Sequence, residues 1–157
     1  MEIRQATPDE WQLSRDIRLR ALEDAPDAFC SSLESERAFD EEAWRSRLER
    51  AHTVFAWEGP EVVGTATGKP DPHEDGGHEF VAMWIDPAHR RSGVATALIE
   101  ELVRWARAEG AHSIALWVAE DNDRARRLYE QCGFAATGER EVMRPGTDQL
   151  RMRLPLG

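Results

Sequence analysis

Between Phe80 and Trp105 the hydrophobic pattern changes period once, and that change limits what the chain can fold into. Phe80 to Ile85 is a continuous apolar run, as in a strand buried inside a sheet. Pro87 ends it, because proline has no N–H to extend a ladder. From Gly93 the spacing is helical: Val94, Leu98, Leu102 and Trp105 share a stripe, Glu100 and Arg104 stand at i,i+4, and Gly110 closes the end. A strand, a tight turn and a long amphipathic helix in succession require a sheet covered by helices, of the α/β or α+β class.

The flanking segments complete the plan. Ile3 begins a short strand, and Thr7-Pro8-Asp9-Glu10 reads as a capping box opening a helix with Leu13, Ile17 and Ala21 on its inner face. Asp40 opens a second helix carrying Trp44 and Leu48, and the stretch from Asp27 to Phe39 is ambiguous. Thr53 to Trp57 and Val62 to Thr67 read as strands joined by Glu58-Gly59-Pro60-Glu61, and Pro70 to Gly77 as a loop. Ile114 to Ala119 suits a strand buried on both faces. Ala125, Leu128, Tyr129 and Cys132 then fall at helical spacing before Gly133. Strands near Ala135 to Arg144 and Gln149 to Leu154 finish the chain. With 157 residues a single domain over 1–157 is expected.

Composition removes several function classes. The net charge is −10, with 8 basic against 14 acidic side chains in residues 1–60 and 12 against 16 in 61–157. Nucleic-acid binding needs concentrated positive charge, so no nucleic-acid partner is expected. The longest apolar runs are six residues, against about 20 for a membrane helix. The opening Met-Glu-Ile-Arg has no apolar region of a secretory signal, so no membrane partner and a cytoplasmic location are expected. Cys30 and Cys132 stand far apart, which predicts neither a disulfide framework nor a zinc site. Of the 20 basic residues, Lys69 alone is lysine.

Chemistry concentrates around the turn. The first N–H groups of a helix lack internal partners and sit at the positive end of its dipole, so an anion such as pyrophosphate fits there. Gly93 and Ala95 keep side chains clear of that position, and Arg90 and Arg91 add charge. Gly64 to Pro70 is too short between its glycines for a phosphate loop and has Pro70 where Ser or Thr is required. His73 to Glu79 lacks metal-ligand spacing, so no metal is expected. Cys132 reads as a core residue and His89 as a solvent-facing turn residue.

Arg90-Arg91-Ser92-Gly93-Val94-Ala95 resembles the (Gln/Arg)-x-x-Gly-x-(Gly/Ala) motif of the GNAT superfamily of acyl-CoA-dependent N-acetyltransferases. Ile85-Asp86-Pro87 is similar to that family's strand end. Downstream, Asn122-x-x-Ala125-x-x-Leu128-Tyr129-x-x-x-Gly133-Phe134 resembles its second signature. Ala95 stands where many members have a second glycine. The resemblance implies a mixed, mostly antiparallel twisted sheet of six to seven strands, about four helices and splayed central strands. It also implies acetyl-CoA as co-substrate. Met83, Trp84 and Ile85 would pair with the pantetheine arm. Amides among Arg91, Ser92, Gly93, Val94, Ala95 and Thr96, with Arg90 beside them, would hold the pyrophosphate. Asn122 would touch the cofactor arm and Tyr129 would lie near its sulfur. A homodimer is in keeping with the family.

The expected activity is acetyl transfer from acetyl-CoA to a primary amine by direct attack, the acceptor a small cationic amine or a protein amino group. An ammonium must first lose its proton, and a carboxylate can take it. Glu79 is the first choice: the histone-acetylating branch of the family has its catalytic Glu there, and it shares strand parity with Val81, Met83 and Ile85. Its other reading is a solvated strand-start carboxylate. Glu120 is the second choice. A main-chain N–H near Trp84 would stabilise charge on the thioester oxygen, and Tyr129 would protonate the leaving thiolate or serve as a core aromatic. The competing reading of the whole chain is a non-catalytic acyl-CoA sensor.

Overall fold

The computed structural model describes residues 1–29 and 31–157; Cys30, with its expected lack of a disulfide, lies outside the described residues. Seven strands form one sheet: β1 (Glu2–Gln5), β2 (His52–Glu58), β3 (Glu61–Pro70), β4 (Gly77–Ile85), β5 (Ser113–Ala119), β6 (Ala135–Arg144) and β7 (Thr147–Pro155). Their order is β1-β2-β3-β4-β5-β7-β6. Among the described residues five α-helices accompany them, α1 (Trp11–Asp24), α2 (Leu33–Arg37), α3 (Glu41–Arg50), α4 (Val94–Ala108) and α5 (Asp123–Gln131), against about four expected. The additional one, α2, lies in the segment the sequence left ambiguous, where Ser32 Oγ accepts the Ser35 N–H at 3.1 Å and caps it. No described helix is long and apolar enough to cross a membrane.

The chain divides into two compact units, Met1–Thr67 with Ala82–Leu98, and Gly68–Val81 with Ile99–Gly157. In the first, β1 and β2 pair antiparallel from Glu2↔Trp57 to Gln5↔Val54. The core gathers Ile17, Ala21, Leu48, Phe55, Val62 and Trp84. Burial of each large side chain there contributes roughly 1.5–3 kcal/mol. Helix α1 starts at Trp11, after a 3-10 turn at Pro8–Glu10 in which Glu10 Oε1 accepts the Thr7 N–H at 3.0 Å. Asp40 caps α3 as the sequence predicts, accepting the Ala43 N–H at 2.9 Å, a contact typically worth about 1 kcal/mol.

In the second unit β5 pairs antiparallel with β7 along its full length, and β7 with β6. The parallel pairing of β4 with β5 covers only Gly77↔Ser113 to Glu79↔Ala115. Ile114, Leu116 and Val118 are buried, but Trp117 and Ala119 are half-exposed, so β5 is open on one face towards its end. Directly opposite residues of an antiparallel pair share a face. Trp117 therefore lies beside Arg151, and Ala115 beside Arg153.

Candidate functional site

Two sets of residues have the makings of a site, one in each unit. In the first unit, β4 ends at Ile85 and Asp86 caps the following turn, its Oδ1 accepting the Ala88 N–H at 2.9 Å. Arg91 (φ 63°) and Gly93 (φ 88°) then adopt left-handed backbone, and α4 begins at Val94. Glycine carries no steric penalty in that conformation, whereas Arg91 costs roughly 1–3 kcal/mol there. Arg91, Ser92 and Gly93 are exposed. The first intrahelical bond runs from Ala97 N–H to Gly93 C=O at 3.1 Å, and among the described residues no acceptor takes the amides from Ser92 to Thr96. Amides brought together by left-handed residues at a helix start form a concave anion site.

Arg90, expected to add charge beside the turn, is engaged within the chain. Its Nη2 contacts Asp24 Oδ2 at 2.5 Å and its Nε donates to the Ile85 carbonyl at 3.0 Å. Trp84 Nε1 donates to the same Asp24 oxygen at 3.0 Å. These bonds, Trp84's first and then Arg90's, hold the Asp24 carboxyl below its usual range. Arg20 pairs with Asp86 and lies over the Trp84 ring at 5.3 Å. The end of α1 is thereby fastened to the turn, and Arg91 is exposed beside it.

Ala82 breaks the alternation of β4 with a φ of 58°. A left-handed residue inside a strand interrupts the ladder and re-aims the side chains beyond it, as a bulge does. Glu79 therefore does not share a face with Met83 and Ile85 merely because their numbers share parity. This left-handed residue stands two positions before Trp84, where the oxyanion donor is expected.

In the second unit Glu79 is only 5% exposed and is not a solvated carboxylate. Its Oε1 lies 3.3 Å from Lys69 Nζ. Burial pushes its carboxyl above the usual range, and Lys69 opposes that shift without cancelling it. Around it, Asp71 and Arg151 form a buried ion pair at 2.7 Å, Arg153 holds Glu74 at 2.9 Å, and the His73 ring meets Trp117 edge-on at 5.6 Å.

Tyr129, on α5, packs edge-on against Phe80 at 5.9 Å and Phe134 at 6.3 Å. Burial, with Cys132 nearby, pushes its phenol up to about 12. Asn122 caps α5, its Oδ1 accepting the Ala125 N–H at 3.2 Å. Glu120 is engaged at both oxygens: Oε2 by Arg140, and Oε1 by the Asp148 N–H at 3.1 Å. A carboxylate so occupied is poorly placed to accept a substrate proton.

The glycines between Gly64 and Pro70 serve packing. A side chain at Gly64 would meet Val94 at 2.9 Å and one at Gly68 would meet Trp105 at 2.4 Å, so these glycines admit α4 against β3. Among the described residues no group of three or more His, Cys, Asp or Glu could hold a metal. His89 is half-buried, with Nδ1 3.8 Å from Asp86. Sequence reasoning missed Asp24, Lys69 and the Asp71–Arg151 pair. The one available signal was the solitary lysine, since the partners of the others are distant in sequence.

A profile of the acetyltransferase (GNAT) family matches residues 18–134. A mycothiol acetyltransferase of Geodermatophilus obscurus is 31% identical over 119 residues, covering 73% of this chain and 38% of that protein. The chain thus spans about two fifths of the length of such relatives. N-alpha-acetyltransferase RimI of Mycobacterium tuberculosis is 29% identical over 154 residues, 90% of this chain and 94% of that one. Among solved structures, yncA from Salmonella typhimurium with its cofactor acetyl-CoA covers 100% of this chain and 94% of its own, with a TM-score of 0.81 at 24% identity. A ribosomal-protein-alanine N-acetyltransferase from Brucella melitensis covers 99% of both chains, with a TM-score of 0.79 at 22% identity. The structural likenesses concern the fold, and with the profile match over most of the sequence they lead to one conclusion: the chain belongs to the GNAT family of acetyltransferases.

Proposed function

We propose that this chain, as one domain over 1–157, transfers an acetyl group from acetyl-CoA to a primary amine by direct attack, both substrates being bound together. The observation that carries this reading is the turn at 91–96, whose amides from Ser92 to Thr96 have no acceptor among the described residues and whose left-handed residues suit a diphosphate. Acetyl-CoA, when bound, supplies an activated acetyl thioester. The chain's own residues do the rest.

Glu79 takes the proton from the amine. A carboxyl raised above its usual range is a stronger base when ionised, which suits removal of a proton from an ammonium near neutral pH. Backbone N–H groups of β4 beside the break at Ala82 donate to the thioester oxygen as it gains charge. Tyr129 acts as a hydrogen-bond donor to the sulfur and not as a full acid. A phenol pushed up to about 12 releases its proton less readily than a thiol with a pKa near 8.5.

For the acceptor we favour an α-amino group of a peptide or protein, ahead of small cationic amines. The support is the relative whose length this chain nearly spans, named an N-alpha-acetyltransferase. An α-amine with a pKa of about 7.7–8 also asks less of the base than a lysine side chain near 10.4. Initial rates measured by thiol release, over peptides with free N-termini, polyamines and aminoglycosides, test the reading. Peptide acetylation with intersecting two-substrate kinetics is expected. Tight acetyl-CoA binding without turnover on any amine would overturn it.

A further inference from the structure

The lysine that is alone of its kind in this chain stands against the one buried carboxylate the proposed reaction needs free. Lys69 closes β3, 42% exposed along its side chain, with Nζ 3.3 Å from Oε1 of Glu79, whose side chain is 6% exposed. We infer that Lys69 is a positioning residue of the transfer reaction: its ammonium keeps Glu79 ionised while leaving the second carboxylate oxygen open to the amine. The inference rests on the reading of Glu79 as proton acceptor.

The neighbourhood supports it group by group. From the loop after β3, Asp71 and His73 act on Glu79, the first raising and the second lowering its proton affinity. Asp71 is itself neutralised by Arg151 of β7 at 2.7 Å, and Glu74 is held by Arg153. From β5 the nearest paired residue is Ala115, without charge. Lys69 is therefore the direct cationic partner of Glu79 among the described residues, and burial works against it.

Residue type matters as well. An arginine fork grips both oxygens of a carboxylate, as Arg18 grips Glu36 through Nε and Nη2 at 3.0 Å each. An ammonium is a point charge on a flexible stem. It contacts one oxygen of Glu79 and can swing away towards solvent when a proton arrives.

The pH profile of kcat/KM tests this. Lys69→Met removes the cation and favours protonated Glu79, so the acidic limb should move up by roughly one pH unit while the high-pH plateau stays within about twofold. Lys69→Arg keeps the charge and should leave the limb near its original place. A Lys69→Met profile with an unmoved limb and a lowered plateau would overturn the inference.

A second readout needs no turnover. Reductive methylation of the intact protein with 13C-formaldehyde labels Lys69 and the amino terminus alone, and the Lys69 signal is the one lost in Lys69→Arg. Its chemical shift should show a titration step that disappears in Glu79→Gln; a signal without such a step overturns the pairing. If Glu79→Gln retains full activity, the proton-acceptor reading fails, and the NMR step still decides whether the two residues are coupled.

Discussion

Two buried glutamates sit in opposite electrostatic surroundings. Glu36, in the first unit, is fully buried, with Arg18 on both oxygens at 3.0 Å and Arg47 on Oε1 at 2.8 Å. Burial alone would raise its carboxyl, but hydrogen bonds from Arg18, Ser31 and Arg47 outweigh it and bring the carboxyl down to about 2. Glu79, in the second unit, is almost as buried and has one half-exposed lysine, so burial wins and its carboxyl rises. The first is a structural tie that stays charged at neutral pH. The second can exchange a proton. What separates them is the number and rigidity of the cations supplied, not depth.

The largest effect is expected where the tie is cut. Glu36→Gln leaves Arg18 and Arg47 without their anion and should lower stability by about 3–5 kcal/mol, read by urea denaturation at pH 7. For the intact protein, the stability owed to Glu36 is full above the unfolded glutamate value of about 4.3 and is lost as pH falls through about 2. A penalty that stayed constant down to pH 2 would break the contrast from the side of Glu36.

Glu79→Gln should lower kcat/KM by roughly 10²–10³-fold at neutral pH, as loss of a general base does. The same substitution should raise stability by about 1 kcal/mol, or about 2–4 °C in Tm, because it removes a charge that burial disfavours. That gain should vanish below about pH 4, where the carboxyl is protonated in folded and unfolded chains alike. Loss of stability at pH 7 would make Glu79 a second Glu36.

Tyr129→Phe keeps the ring packing and removes one hydrogen-bond donor, so kcat should fall about tenfold with acetyl-CoA affinity nearly unchanged. Because the phenol is pushed up to about 12, no alkaline limb belonging to Tyr129 should appear below pH 10. Glu120→Gln is the mildest change. It weakens a partly exposed pair with Arg140, a loss of under about 1 kcal/mol, and should alter kcat/KM by less than about twofold.

The architecture was readable because its signals are local. The stripe of α4, the Asp40 cap, Gly93 with φ of 88° and Asn122 at the head of α5 each act within a few residues. The proton-accepting candidate was readable only through resemblance, since no local pattern distinguishes a buried glutamate from an exposed one at a strand start. The ion pairs were not readable at all. Arg18 reaches Glu36 across 18 positions, Trp84 reaches Asp24 across 60, and Arg151 reaches Asp71 across 80. Periodicity carries no information at such separations. Ala82 was hidden for a different reason: alanine gives no warning of a left-handed backbone.

The bond between Arg90 and Asp24 bears on how the family motif itself is understood. Its opening position admits glutamine as readily as arginine. Here the arginine answers to a helix of its own chain, through an anion 66 places upstream. An Arg90→Gln protein would therefore still satisfy the signature letter for letter while losing one of the ties between α1 and the turn, those of Trp84 to Asp24 and Arg20 to Asp86 remaining. On paper it would be the same sequence family; its melting temperature should fall, by the small amount one partly exposed ion pair is worth.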